Sequence, residues 1–139
     1  MTIILDSNFL FAITFKKDKN FQRAYELFDE LKKSKFHPLI TNNLVLEETQ
    51  TLVVARFNGN SFHLDKIYNL FWGEDNFFQI EYLKQDDYKT VFNTLKKYTT
   101  PKRLLSSVDA SLITLYQKYN ADKILSFDSH FDTILERLY

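Results

Sequence analysis

An α/β fold, in which a mainly parallel sheet of four or five strands is sandwiched between helices, is the architecture that the sequence predicts. Short aliphatic runs typical of buried strands alternate along the chain with longer segments of helical periodicity. Alternation of this kind favours parallel strands joined by helical connections. With 139 residues, 45% of them hydrophobic, and only two glycines and two prolines, the chain is expected to form a single domain over residues 1–139.

The predicted strands are short apolar segments flanked by polar residues. They cover residues 2–5, residues 37–40 entered through Pro38, residues 77–82 and residues 123–127. Apolar residues at helical spacing predict helices between them, over residues 8–14, from Asn20 as a capping residue to about residue 31, and over residues 43–57, 61–73, 85–98 and 105–119. Residues 99–103 read as a loop, and residues 128–139 as a final helix that no strand follows.

Several classes of protein are excluded or disfavoured by composition. The chain has no Cys, which rules out disulfides and cysteine-bound zinc and fits a reducing compartment. The apolar start is too short for a membrane span and lacks the layout of a signal peptide, so a cytoplasmic protein without membrane association is expected. Net charge is +0, so a strongly basic nucleic-acid footprint is absent.

Motifs of common enzyme classes are also missing. Glycines occur only at positions 59 and 73, which excludes a phosphate-binding P-loop and a dinucleotide-binding glycine motif. The three histidines, His37, His63 and His130, do not have the spacing of a zinc protease and are expected to be surface or packing residues.

Two aspartates directly follow predicted strands. Asp6 comes after the first strand and Asp128 after the fourth. In open α/β sheets, ligands bind outside the carboxyl ends of the strands, so both carboxylates are candidates for one crevice. Each could instead be the N-cap of the helix that follows its strand.

A third aspartate lies on a predicted helix. Asp109 has Leu105, Leu112 and Ile113 as its neighbours at helical spacing, and an ionised carboxylate on such an apolar face costs free energy unless it has a partner. A functional site would supply one. A capping box with Ser106 at the start of the helix would explain Asp109 without chemistry.

Two adjacent glutamates, Glu47 and Glu48, lie in another predicted helix. They point about 100° apart, so at most one faces a shared site, and periodicity does not decide which.

Two carboxylates about 4 Å apart repel by roughly 4 kcal/mol at an effective dielectric constant near 20. Carboxylates that converge therefore need a compensating cation. A site rich in oxygen ligands and without Cys suits Mg²⁺ or Mn²⁺.

Four short motifs occur in order along nearly the whole chain: IILDSNFL, LEETQTL, SSVDASL and LSFDSHF. This ordered set resembles the PIN domain, a family of metal-dependent ribonucleases with a three-layer α/β sandwich fold. The resemblance implies that Asp6, Glu48, Asp109 and Asp128 are the catalytic and metal-binding residues. Glu48 is selected because the matching acid directly precedes a threonine, here Thr49. By the same resemblance, Asn8, Ser106 and Ser126 orient the carboxylates or a water molecule.

The resemblance also implies an activity and partners. A PIN-like protein of this size is expected to be an Mg²⁺- or Mn²⁺-dependent endoribonuclease, similar to the toxins of VapBC toxin–antitoxin pairs. Such a protein acts on RNA, forms a homodimer and has a separate antitoxin protein as partner. The sequence departs from the family pattern at His130, where many relatives have an acid, and at its end, where many have a further strand.

Two other functions compete with this interpretation. A catalytically inactive PIN-like RNA-binding or scaffold protein is disfavoured because all four acids are present. A phospho-acceptor receiver domain also places Asp at strand ends, but it needs an acidic pair after the first strand, and here Asp6 stands alone.

Overall fold

Five parallel strands form the central sheet in the computed structural model, which describes residues 1–34 and 38–139. Along the chain they are β1 (Ile3–Leu5), β2 (Leu39–Asn42), β3 (Gln79–Glu81), β4 (Lys123–Leu125) and β5 (Arg137–Leu138). Their order across the sheet is β3-β2-β1-β4-β5, and every neighbouring pair is parallel. This topology confirms the predicted α/β fold.

Six helices flank the sheet in the part of the chain that the structure describes. They are α1 (Ser7–Thr14), α2 (Phe21–Lys33), α3 (Asn43–Arg56), α4 (Ser61–Trp72), α5 (Gln85–Tyr98) and α6 (Ser107–Lys118). α1 packs against α2 and α3, while α5 packs against α6. No helix in the described ranges is long and apolar enough to cross a lipid bilayer.

The core forms because β1 lies at the centre of the sheet, with all three of its side chains fully buried. Aliphatic and aromatic side chains from α1, α6 and the neighbouring strand β4 belong to the same core cluster, including Leu10, Phe9, Leu112, Ile113 and Ile124. Since β1 and β4 are paired in register, the residues that follow them emerge side by side at the carboxyl edge of the sheet. This register brings Asp6 and Asp128 to the same edge.

The end of the chain differs from the predicted helix over residues 128–139. It forms a single 3₁₀ turn, Ser129–Phe131, and then the edge strand β5, so the last strand that the sequence did not predict is present. Thr133 has a φ of 72°, which no continuous α-helix accommodates. The Arg137 guanidinium binds both carboxylate oxygens of Asp132, at 2.7 and 3.0 Å, and closes the turn before β5. Backbone hydrogen bonds from Ile124 and Ser126 then pair β5 with β4.

Other differences concern the ends of elements. The second strand runs over Leu39–Asn42 rather than residues 37–40, and the part of that prediction that falls on His37 lies outside the described residues. The third strand is confined to Gln79–Glu81, and Phe77, which was predicted to lie in it, precedes the strand and packs on Phe28 with ring centroids 4.4 Å apart. Asn20 occupies the N-cap position of α2, but its side chain makes no capping hydrogen bond.

Candidate active site

The four acids singled out from the sequence lie at the carboxyl edge of the sheet. Asp6 follows β1 and Asp128 follows β4, while Glu48 lies in the second turn of α3 and Asp109 in the first turn of α6. Contacts bring them together in two pairs, because the Ser7 hydroxyl lies against both Asp6 and Glu48, and ligand atoms of Asp109 and Asp128 lie within 4.8 Å of each other. The charges of Asp109 and Glu48 raise the pKa of Asp6, which is consistent with this arrangement. We name these four residues the acidic cluster.

The two adjacent glutamates, which periodicity alone did not separate, have different environments. Glu48 is partly buried and lies close enough to the other acids to interact with them, whereas the neighbouring Glu47 is exposed. The helical rotation of about 100° between consecutive residues produces this difference. Glu48 is therefore the member of the pair that faces the acidic cluster.

Asp6 is the most buried of the four acids, with 3% of its surface exposed. Its Oδ1 accepts a hydrogen bond from the Ser7 amide at 2.6 Å, and its Oδ2 accepts one from the Ser126 hydroxyl, also at 2.6 Å. Asp6 thus caps α1, as the structural alternative predicted, and also belongs to the acidic cluster. Its orientation is fixed by hydrogen bonds on both oxygens.

Ser7 connects two of the acids and was not among the predicted residues. Its hydroxyl donates to Glu48 Oε1 and lies 3.3 Å from Asp6 Oδ1. A hydroxyl has one proton and donates to one carboxylate at a time. The only sequence signal for Ser7 is its position directly after Asp6, since its contact with Glu48, 41 positions away, arises from the fold.

Asn8 and Ser126 form a second hydrogen-bond network, which holds Asp6 and Asp128. The Asn8 side chain accepts from the Phe127 amide at 3.0 Å and donates to Ser126 Oγ at 3.3 Å. Ser126 Oγ also accepts from the Asp128 amide at 3.0 Å. Asn8 and Ser126 therefore link the end of β4 to α1 and set the positions of both aspartates.

Ser106 and Asp109 form the capping box that the sequence offered as an alternative. The Asp109 amide donates to Ser106 Oγ, and Asp109 Oδ2 accepts from the Ser106 amide, both at 3.0 Å. The box does not remove Asp109 from the acidic cluster, because a carboxylate oxygen of Asp109 still lies within 4.8 Å of ligand atoms of Asp128 and His130. Asp109 therefore both caps α6 and belongs to the acidic cluster.

His130 also faces the acidic cluster, although the sequence pattern placed it among surface or packing residues. Its Nδ1 is buried, makes no hydrogen bond within the described part of the chain, and lies 3.4 Å from Asp128 Oδ2 and 3.7 Å from Asp109 Oδ2. Donor atoms of these three residues lie within 4.8 Å of one another. The 3₁₀ turn capped by Asp128 brings the imidazole there. The sequence signals for this position were its spacing of two residues from Asp128 and the acid that many relatives have in its place.

This donor set fits a divalent cation. Carboxylate oxygens are the ligands that Mg²⁺ and Mn²⁺ prefer, and an imidazole nitrogen is compatible with Mn²⁺ and other transition metals. A cation would also supply a partner for the orphaned Nδ1 of His130 and would reduce the repulsion among the carboxylates.

Burial raises the proton affinity of three of the acids. It raises the pKa of Asp6 from 3.8 to about 7, opposed by the hydrogen bond from Ser126 and reinforced by the charges of Asp109 and Glu48. Burial likewise raises the pKa of Glu48 and of Asp109, and nearby carboxylates raise both further. Near neutral pH Asp6 of the metal-free protein is therefore partly protonated, and a bound cation would displace that proton.

The stability of the metal-free protein should consequently decrease as pH rises. Asp6 holds its proton up to about pH 7 when folded and only to about pH 3.8 when unfolded, so the folded state binds more protons between these values. The stabilisation that the Asp6 proton provides is complete below about pH 4 and is lost progressively as pH rises to about 7. Above that pH, the free energy of unfolding is lower by roughly 2–4 kcal/mol.

Urea unfolding in chelator between pH 4 and 8 measures this effect, with Asp6→Asn as the comparison. The wild type should lose more stability than the variant across this range. The variant should keep a smaller slope, because the pKa values of Glu48 and Asp109 are also raised. Parallel pH profiles for the two proteins would show that Asp6 is ionised throughout.

Comparisons with known proteins identify the same fold. The family model described as the PIN domain matches residues 3–135. The structure of the Sarcin-Ricin loop cleaving toxin VapC20 from Mycobacterium tuberculosis is similar, with a TM-score of 0.73, 23% identity, and coverage of 94% of this chain and 92% of that chain. Sequence comparison with curated proteins finds no match.

Two further solved structures share the fold. The structure of VapBC2 from Rickettsia felis, bound to a DNA fragment from their promoter, gives a TM-score of 0.72 at 14% identity, covering 99% of this chain and 98% of that chain. FitAcB from Neisseria gonorrhoeae gives a TM-score of 0.64 at 12% identity, covering 99% and 97%. At these identities the likeness concerns the fold.

Proposed function

The chain belongs to the PIN-domain family, and from that premise we propose that it is an endoribonuclease that hydrolyses RNA phosphodiester bonds with the help of Mg²⁺ or Mn²⁺. The observation that carries the proposal is the acidic cluster, in which acids from four separate elements converge at one edge of the sheet. We treat residues 1–139 as one PIN domain that acts in the cytoplasm, where RNA is available and a chain without Cys needs no oxidising environment.

In this proposal Asp6, Asp109 and Asp128 hold the cation, and His130 adds a nitrogen donor. When bound, a divalent cation polarises the scissile phosphate and lowers the pKa of the attacking water. Ser7, Asn8, Ser106 and Ser126 keep the carboxylates in position through the hydrogen bonds described above.

Glu48 is the residue best suited to position the attacking water and accept its proton. Burial raises its pKa, which makes its carboxylate a stronger base than an exposed glutamate. The hydrogen bond from Ser7 fixes one of its oxygens. The other oxygen remains for the water.

A mixed RNA pool incubated with the purified protein and Mg²⁺ or Mn²⁺ tests the proposed activity. Discrete cleavage products that depend on the cation would support it. If the protein binds both the cation and RNA but produces no cut in any RNA of the pool, the chain is instead an inactive RNA-binding PIN domain.

We further propose that the chain is the toxin of a toxin–antitoxin pair. Its structural neighbours include the toxin VapC20 and the R. felis VapBC2 assembly. The surface offers a suitable groove of about 880 Å³ between α1, α2 and α4, with aromatic walls that include Tyr25 and Phe28 and with Lys16, Lys32 and Lys66 among its lining residues. An apolar segment with acidic flanks matches this groove. Co-purification with the product of a neighbouring short reading frame tests the pairing.

The protein is also expected to form a homodimer. Val54, Tyr68 and Trp72 are exposed together along α3 and α4, and exposed apolar patches of this kind usually mark interfaces. Light scattering at micromolar concentration should give twice the chain mass of 16.6 kDa, and Trp72→Asp should shift the protein toward the monomer. A monomeric wild type in both low and moderate salt would contradict this expectation.

A further inference from the structure

A cleft of about 360 Å³ opens directly beside the acidic cluster. Asn8 and Asp128 belong to its lining, so the cleft and the proposed catalytic centre share residues. The remaining walls come from α1, α3, the connection between α1 and α2, and the residues on either side of Asp128. This volume is at the lower end of the range typical of small-molecule binding sites.

Two cations contribute to the lining of the cleft. Arg56 is the last residue of α3, and Lys19 lies on the connection between α1 and α2. Both are exposed, and within residues 1–34 and 38–139 neither forms a salt bridge. The Arg56 guanidinium lies over the Phe11 ring, 5.6 Å from its centroid. Both cations therefore keep their charge available to an anionic ligand.

The charge balance of the cleft favours an anion away from the acidic cluster. Asp18 also lines the cleft, but its carboxylate accepts a hydrogen bond from the Asn20 amide at 2.8 Å and stabilises the local turn. If Asp128 is counted with the acidic cluster, the lining of the cleft carries two positive charges, on Arg56 and Lys19, and one negative charge, on Asp18. A phosphate group that approaches from solvent meets a net positive charge at this wall.

The cleft also has an apolar wall. The partly exposed Phe127 contributes an aromatic ring, and Leu52 contributes an aliphatic side chain. Aromatic rings and guanidinium planes are the surfaces on which unpaired RNA bases stack. The combination of a phosphate-binding wall and a base-stacking wall is what a nucleotide unit requires.

We propose that this cleft binds the nucleotide next to the scissile phosphate of a single-stranded RNA. Arg56 and Lys19 contact the phosphate of that nucleotide, and Phe127 packs against its base. The proposal rests on the proposed ribonuclease function, and it assigns a substrate-binding role to residues outside the acidic cluster.

Arg56→Gln tests the proposal, since it removes the charge of an exposed side chain and leaves the core intact. The KM for a fluorescein-labelled single-stranded RNA of mixed sequence should rise about tenfold, while kcat stays within twofold, because the residue binds substrate without acting on the reacting atoms. Lys19→Gln should act in the same direction. Binding of the same RNA in chelator, measured by fluorescence anisotropy, gives the slope of log Kd against the logarithm of salt concentration. This slope should decrease by about 0.7 for each lost phosphate contact.

Lys97→Gln is the matched control, because Lys97 is an exposed cation in the last turn of α5 that does not line the cleft. It should leave KM and the salt dependence unchanged. If Arg56→Gln behaves like Lys97→Gln while the wild type cuts RNA, the cleft does not bind substrate and the ribonuclease proposal still stands. If the wild type neither binds nor cuts RNA, both proposals fail.

Discussion

Replacing Asp6 with Asn is expected to abolish RNA cleavage and to raise the melting temperature of the metal-free protein. Asn keeps the shape of Asp but removes a charge that would hold the cation, so cleavage should fall by about 10³-fold or more, equivalent to roughly 4 kcal/mol of transition-state stabilisation. The fold should tolerate the change, because an Asn Oδ1 still accepts from the Ser7 amide.

The gain in thermal stability has a separate cause. At pH 8 the ionised Asp6 is buried among other carboxylates, which is unfavourable by roughly 2–4 kcal/mol. Asn removes this penalty but loses the hydrogen bond from Ser126, which contributes about 1 kcal/mol. The net effect is an increase of several degrees in Tm in chelator.

Glu47→Gln is the control for this experiment, since Glu47 is an exposed acid next to Glu48. It should change neither cleavage nor the melting temperature. Calorimetric melting in chelator and cleavage of the RNA pool, measured on the same preparations, check both expectations. An Asp6→Asn variant that cuts RNA at the wild-type rate would remove Asp6 from the catalytic machinery.

Divalent cations are expected to stabilise the wild-type protein by mass action. A cation at a hundredfold excess over its dissociation constant contributes about 2.7 kcal/mol, which corresponds to several degrees in Tm for a chain of this size. Because His130 offers a nitrogen donor, Mn²⁺ should stabilise the protein more than Mg²⁺ at equal concentration. Melting curves in chelator, Mg²⁺ and Mn²⁺ measure both effects.

Asp128→Asn is the informative comparison for metal binding. Asp128 is only partly buried, so its replacement should disturb folding less than a change in the core. The variant should lose most of the stabilisation by Mn²⁺, whereas Glu47→Gln should retain it. Equal stabilisation of the wild type and Asp128→Asn would show that the cation binds elsewhere on the surface.

Local sequence patterns predicted most of the fold because most elements depend on local interactions. The apolar run of β1 and the amphipathic spacing of α2 are visible without knowledge of the tertiary structure. The last twelve residues were predicted wrongly, since their apolar residues also suit a helix. In the structure the chain leaves helical geometry at Thr133, whose φ is 72°, and long-range backbone hydrogen bonds to β4, which local patterns do not show, form the edge strand.

The position of the candidate site was also predicted in part from the sequence. Asp6 and Asp128 could be placed together because the carboxyl ends of parallel strands share one edge. Periodicity did not separate Glu48 from Glu47, since both have apolar neighbours at helical spacing. Ser7 and His130 could not be found in this way, because their contacts with the acids depend on how α1, α3, α6 and the 3₁₀ turn pack.

The central claim is that the acidic cluster uses a divalent cation to cut RNA. Its most direct test is the initial rate of RNA cleavage by protein stripped with chelator, measured as Mn²⁺ is restored in steps. Our account predicts no cleavage in chelator and a saturable return to the full rate as Mn²⁺ increases, with no such return for Asp6→Asn. Cleavage that continues unchanged in chelator would contradict the account.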